Sequence, residues 1–134
     1  MFNIIRLKCN PIYLINNPHG LKLLTRLRLQ LSHLREQKFK HNFQDTLNPL
    51  CDCSLNIEST EHFFLHCLNF DEERQDLFNN LNDIDRNLVL LPSSELVTIL
   101  LYGKASFNNV SNFKILSSSI SFIMSTKRFD GNLL

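Results

Sequence analysis

Glycine and proline are scarce in this sequence. Three glycines and four prolines in 134 residues leave little material for the many turns of a β-sandwich and favour helices. Three glycines also cannot supply a glycine-rich phosphate loop. No apolar run reaches the roughly 18 residues that span a bilayer; the longest, Leu88 to Tyr102, is interrupted by Pro92, two serines and Glu95. The opening Met-Phe-Asn-Ile-Ile-Arg lacks the apolar stretch of a signal peptide. The chain is therefore expected to be intracellular, in nucleus or cytoplasm, with its thiols reduced, so clustered cysteines read as metal ligands before disulfides. Neither an internal repeat nor a low-complexity tract is present, and no membrane or small-molecule partner is indicated.

The charge is unevenly spread. Residues 1–41 carry eight Lys or Arg against one acid, Glu36, whereas residues 42–100 carry eleven acids against Arg74 and Arg86. Residues 101–134 turn basic again, with Lys104, Lys114, Lys127 and Arg128 against Asp130. A basic end invites an anionic partner; equally, the basic and acidic parts can face one another.

The pattern predicts a mainly α fold, a small helical domain of four to five short helices with a zinc knuckle. Residues 1–20 form a poorly patterned lead-in with turn signals at Asn10-Pro11 and Asn16-Asn17-Pro18-His19-Gly20. Residues 21–134 form the single helical domain, with the metal-binding segment over about 21–70. A helix over Leu21–Lys40 presents Leu24, Leu27, Leu31 and Leu34 as one apolar stripe. Ser59 and Thr60 cap a short helix through His66. A helix begins near Asn69 or Asp71, where Asp71, Glu72 and Glu73 suit its first turn, and buries Leu77, Phe78 and Leu81. A loop follows over residues 82–87. Ser93 or Ser94 caps a helix that carries Leu96, Ile99 and Leu100 inward and stops at Gly103. The last helix runs from about Val110 to Arg128 with Phe113, Leu116, Ile120 and Ile123 inward. It carries the serines 117–119 on its surface and closes on Lys127 and Arg128.

Three of the four cysteines fall within 17 residues, Cys51, Cys53 and Cys67, with His62 and His66 beside the last. Thiolate and imidazole at these spacings suit one tetrahedral, structural zinc ion held by Cys51, Cys53, His62 and Cys67. Cys-x-Cys fits a tight turn after Pro49. His-x4-Cys fits a helix whose last turn loosens to bring Cys67 round. His66 is the reserve ligand; it neighbours Cys67 and points about 100° away from it on a regular helix. Four protein donors leave no open position for a reactive water, which marks a structural and not a catalytic site. Cys9 is expected to pack as a small hydrophobe.

Several runs together resemble a known family. They are Leu24-Thr25-Arg26-Leu27-Arg28-Leu29, Ser32-His33-Leu34-Arg35-Glu36, Lys38-Phe39, His41-Asn42-Phe43, Asn48-Pro49-Leu50-Cys51, Glu58-Ser59-Thr60-Glu61-His62-Phe63 with Cys67, Leu100-Leu101-Tyr102-Gly103 and Thr126-Lys127-Arg128-Phe129. Over roughly residues 20–130 the chain resembles the carboxy-terminal region, including the zinc-binding domain, of the reverse transcriptase of non-LTR retrotransposons. It departs from the family pattern in having one residue between its first cysteines, Ser54 where glycine is frequent and Leu68 where proline is frequent. The resemblance implies the same four ligands and places the Arg26/Arg28 helix beside RNA or DNA; in such a nucleic-acid-binding module Lys22, Arg26, Arg28, Arg35, Lys38 and Lys40 are expected to meet phosphates. Phe39 and Phe43 either stack on unpaired bases or join the core. Polymerase chemistry needs paired aspartates on two metals, and the sequence has no Asp-Asp pair. The expectation is thus a non-catalytic, nucleic-acid-binding tail detached from its polymerase. The alternatives are a structural tail docking on the parent polymerase core through the Leu21–Leu34 stripe, or a degenerate fragment.

Overall fold

A computed structural model of the chain describes residues 15–130; the expectations for Cys9 and for most of the lead-in lie outside them. The described residues form five α-helices: α1 (Pro18–Arg28), α2 (Arg35–Lys40), α3 (Asp71–Ile84), α4 (Ser93–Tyr102) and α5 (Asn109–Thr126). A single π-helical turn (His62–His66) and two 3₁₀ turns (Leu68–Phe70 and Leu88–Leu90) complete the regular structure. The mainly helical class is as expected.

Local chemistry sets most of the boundaries. The Asn17 side chain accepts from the Gly20 amide at 2.9 Å and Pro18 occupies the first turn, so α1 begins before the expected Leu21. Asn108 caps α5 in the same way through the Ser111 amide. Gly103 ends α4 with φ 80°, a backbone geometry that favours glycine. α4 starts at Ser93 behind Pro92, and neither Ser93 nor Ser94 supplies a side-chain cap.

The centre of the molecule is α5. It packs along α3, α1 and α4, burying Ile115, Leu116, Ile120, Phe122 and Ile123 against Leu24 and Leu27 of α1, Leu77 and Leu81 of α3, and Leu96 and Leu100 of α4. Phe63 of the π turn meets four rings, Phe64, Phe70, Phe122 and Phe129, at centroid distances of 5.2–5.5 Å. These edge-on contacts join the cysteine region to the core.

Several expectations need correction. The helix drawn over Leu21–Lys40 is two helices. Gln30 takes a left-handed φ of 60°, and Leu31 is 52% exposed instead of continuing the stripe. The break is held by Gln37, whose fully buried side chain accepts from the Ser32 amide at 2.7 Å and donates to the Thr60 hydroxyl at 3.0 Å. The stripe residues Leu24, Leu27 and Leu34 are spent on the chain's own core, which removes the docking face assigned to them. Ser118 and Ser119 are buried, not surface. The Ser119 hydroxyl donates to the Leu100 carbonyl at 2.7 Å, and so small a residue lets α4 and α5 approach closely. α3 continues through residues 82–84, which were expected in a loop. Phe78 and Phe113 are only partly buried, while Ile115 and Phe122 take interior positions. α5 ends at Thr126; Lys127 is left-handed (φ 56°), and Arg128 turns inward instead of closing the helix.

Candidate metal centre

A small hairpin brings the first two cysteines together. Leu50 and Ile57 form an antiparallel bridge. The Cys51 amide donates to the Asn56 carbonyl and the Glu58 amide to the Pro49 carbonyl, both at 2.9 Å. The Ser54 amide returns to the Cys51 carbonyl at 2.9 Å, closing the turn with Ser54 at φ 65°. Ser54 thus sustains the left-handed geometry that glycine would enter without strain.

The other two donors come from the π turn. Ser59 caps it, its hydroxyl accepting from the His62 amide at 3.0 Å. Thr60 instead receives the Gln37 bond described above. The Cys67 amide donates to the His62 carbonyl at 2.8 Å, five residues back. A turn closed over five residues stacks the first and sixth residues on one face, whereas an α-helix would leave them about 140° apart. The expected loosening of the last turn therefore takes the form of a π turn, and His62 and Cys67 face the hairpin together.

The four side chains converge. Cys51 Sγ lies 3.6 Å from Cys67 Sγ, Cys53 Sγ lies 3.3 Å from His62 Nε2, and all four donor atoms sit within 4.8 Å of one another. Cys51, His62 and Cys67 are buried and Cys53 is half-buried. His66 is not among them; it is exposed, and its Nε2 faces the Glu61 carboxylate at 3.2 Å. Burial pushes the Cys51 thiol up to about 12 and raises that of Cys67, while hydrogen bonding from the Leu55 backbone lowers that of Cys53. Burial likewise holds His62 below the ordinary histidine range. A cation among these donors would oppose the burial penalty on the thiolates and favour the neutral imidazole. The group can hold one metal ion.

Three polar residues to which the sequence reading gave no part in the metal site brace this centre. Glu58, 3% exposed, binds Arg128 through two bonds of 2.7 Å, and the Arg35 amide donates to the same carboxylate at 2.8 Å. Arg128 also donates to the His33 carbonyl at 3.0 Å. The end of α5, the start of α2 and the cysteine hairpin are thus clamped at one point. Arg74, buried in α3, donates to the carbonyls of Phe64 at 2.9 Å and Phe63 at 3.3 Å, which stabilises the π turn, and pairs with Asp71 at 2.8 Å. Both Glu58 and Arg128 stand in the quoted motifs, but nothing in the sequence says that they meet across 70 residues.

The six cations expected at nucleic acid occupy α1 and α2 in unequal settings. Lys22 and Lys40 are exposed. Arg26 is half-buried. Arg28 donates to the Leu101 carbonyl and lies 4.9 Å over the Tyr102 ring. Arg35 pairs with Asp52 at 2.6 Å and Lys38 with Asp45 at 2.7 Å. Phe39 and Phe43 are 44% and 43% exposed, which settles them outside the core. None of the helices among the described residues is long and apolar enough to cross a membrane. In comparisons with protein-family models, curated proteins and solved structures, nothing matches the chain.

Proposed function

We propose that this chain is a zinc-stabilised nucleic-acid-binding module, the carboxy-terminal region of a non-LTR retrotransposon reverse transcriptase, with a binding and not a catalytic role. The observation that carries the reading is the convergence of Cys51, Cys53, His62 and Cys67 within 4.8 Å. Three soft sulfurs and one imidazole are the donor set of a closed zinc site. Thiolates about 2.3 Å and an imidazole about 2.0–2.1 Å from one tetrahedral centre stand about 3.8 Å (S to S) and about 3.6 Å (S to N) apart. The Cys51 Sγ–Cys67 Sγ and Cys53 Sγ–His62 Nε2 separations, 3.6 Å and 3.3 Å, lie near those edges. Zinc at this point would tie the hairpin to the π turn and contribute folding energy directly.

Nucleic-acid binding is supported by the basic character of α1 and α2 and by the exposure of Lys22, Lys40, Phe39 and Phe43. Native mass spectrometry with and without a chelator tests the metal: one zinc per chain is expected, with Cys53→Ser losing it. A chain that purifies without metal and takes up no added zinc would overturn the zinc assignment. Titration with RNA and single-stranded DNA tests the ligand. Lys22→Glu with Lys40→Glu is expected to weaken binding and flatten its salt dependence, by about 0.7 log units for each single-strand phosphate that is no longer neutralised.

A further inference from the structure

Beside the cysteine hairpin lies an open cleft of about 470 Å³, walled by Arg35 and Lys38 of α2, by Asp45 and Asp52 from the loops, and by Arg128. Arg128 is already held by Glu58 beneath. Arg35 and Lys38 are different: their partners are carboxylates on exposed loops, Asp52 being 73% and Asp45 67% exposed at the side chain. The Arg35–Asp52 pair is exposed on both sides and holds little net stability, so Asp52 can swing into water at small cost; Lys38, 14% exposed at the side chain, offers its ammonium to an incoming anion only where Asp45 now sits. Hydrogen bonding to Lys38 lowers the Asp45 carboxyl further, so it stays anionic. Phe43 does not line the cleft, but its ring stands 5.6 Å from the ammonium of Lys38, which does, and exposes much of its surface.

We propose that this cleft is a backbone-phosphate site for single-stranded nucleic acid, in which Asp45 and Asp52 occupy the places that phosphates take. The inference rests on the nucleic-acid reading above and narrows it to a location and a strand type. Phosphate offers the planar guanidinium of Arg35 a bidentate partner and Lys38 a compact anion. A base next to that phosphate reaches the Phe43 face only if it is unpaired, because a duplex keeps its bases stacked inside. The two aspartates then set a threshold: a lone anion competes poorly with carboxylates tethered beside the cations, whereas a strand that also stacks on Phe43 displaces them.

The test uses the full, zinc-loaded chain and fluorescence anisotropy with a labelled oligothymidylate, an oligouridylate and a duplex of equal length. Asp45→Asn, alone and with Asp52→Asn, is expected to tighten single-strand binding several-fold, because a competing anion is removed. Zinc content is measured in parallel, since Asp52 lies between two ligands, and Asp45→Asn stands alone if the double variant loses metal. Arg35→Gln and Lys38→Gln are expected to weaken binding and flatten its salt slope, and Phe43→Leu to erase the preference for single strands. Unchanged or weaker binding by Asp45→Asn overturns the inference. So does inorganic phosphate binding as tightly as the oligomers, which would make the cleft a site for the free anion. If Lys22→Glu with Lys40→Glu weakens binding while the cleft variants are silent, the cleft falls and the module reading stands. If the unaltered chain binds no oligonucleotide, both fall.

Discussion

Glu58 shows how much one residue decides. Its carboxylate is buried and is matched by the Arg128 guanidinium and the Arg35 amide. Removing one partner of such a pair strands the other's charge. Arg128→Leu is therefore expected to cost about 3 kcal/mol, toward the low side for buried pairs because Arg128 keeps some solvent contact. Glu58→Leu combined with Arg128→Leu should recover part of that loss, since no charge is then left alone. Urea unfolding of the two variants checks the difference; a double variant no more stable than the single one would refute this account of the clamp. Sequence reading placed Arg128 in the closing turn of the last helix, where basic residues mark a helix end. The rule suits a side chain that stays beside its own helix, and Arg128 reaches across to another segment instead.

Among the elements, the π turn makes the centre possible. Its five-residue closure puts His62 and Cys67 on one face, Ser59 caps it, and Arg74 binds its carbonyls. Inserting one alanine between Leu65 and His66 would rotate Cys67 away from the hairpin. Zinc stoichiometry is expected to fall while α3, α4 and α5 keep their circular dichroism. Deleting Leu65 leaves a four-residue spacing, which an ordinary α turn also brings to one face, so that variant should retain more metal than the insertion. The turn's other face is Phe63, fully buried among four rings. Phe63→Ala is expected to cost about 3–5 kcal/mol, read as a lowered urea midpoint.

Across the whole molecule, metal and fold are linked through protons. In the metal-free chain burial raises the Cys51 and Cys67 thiols and lowers His62. A thiol whose pKa rises on folding contributes stability below its unfolded value, about 8.5, and that stability is lost as pH climbs past it. A histidine whose pKa falls on folding contributes above its unfolded value, about 6.5, and that stability is lost as pH drops below it. The chelated chain should therefore be most stable between these values, with its thermal midpoint falling on both sides. With zinc bound, the alkaline loss should vanish, because the thiols are already ionised, and acid should release the metal. A chelated chain whose midpoint does not move with pH would contradict the burial of these groups.

The helical class and the four converging donors were legible in the sequence because both depend on near neighbours. Scarce glycine and proline, the leucine and isoleucine spacing of α4 and α5, and three cysteines within 17 residues are local facts, and helix periodicity and hairpin reach act over such distances. Where the chain breaks, and what becomes buried, was decided by tertiary structure. The Leu21–Lys40 pattern was interrupted because Gln37 finds Ser32 and Thr60. The serine run turned inward because Ser119 finds the Leu100 carbonyl. Glu58 and Arg128 became a clamp because packing around α5 brings residues 70 apart into contact. Buried polar groups must find partners wherever the fold supplies them. Their pairing therefore follows the three-dimensional packing, and sequence spacing carries no record of it.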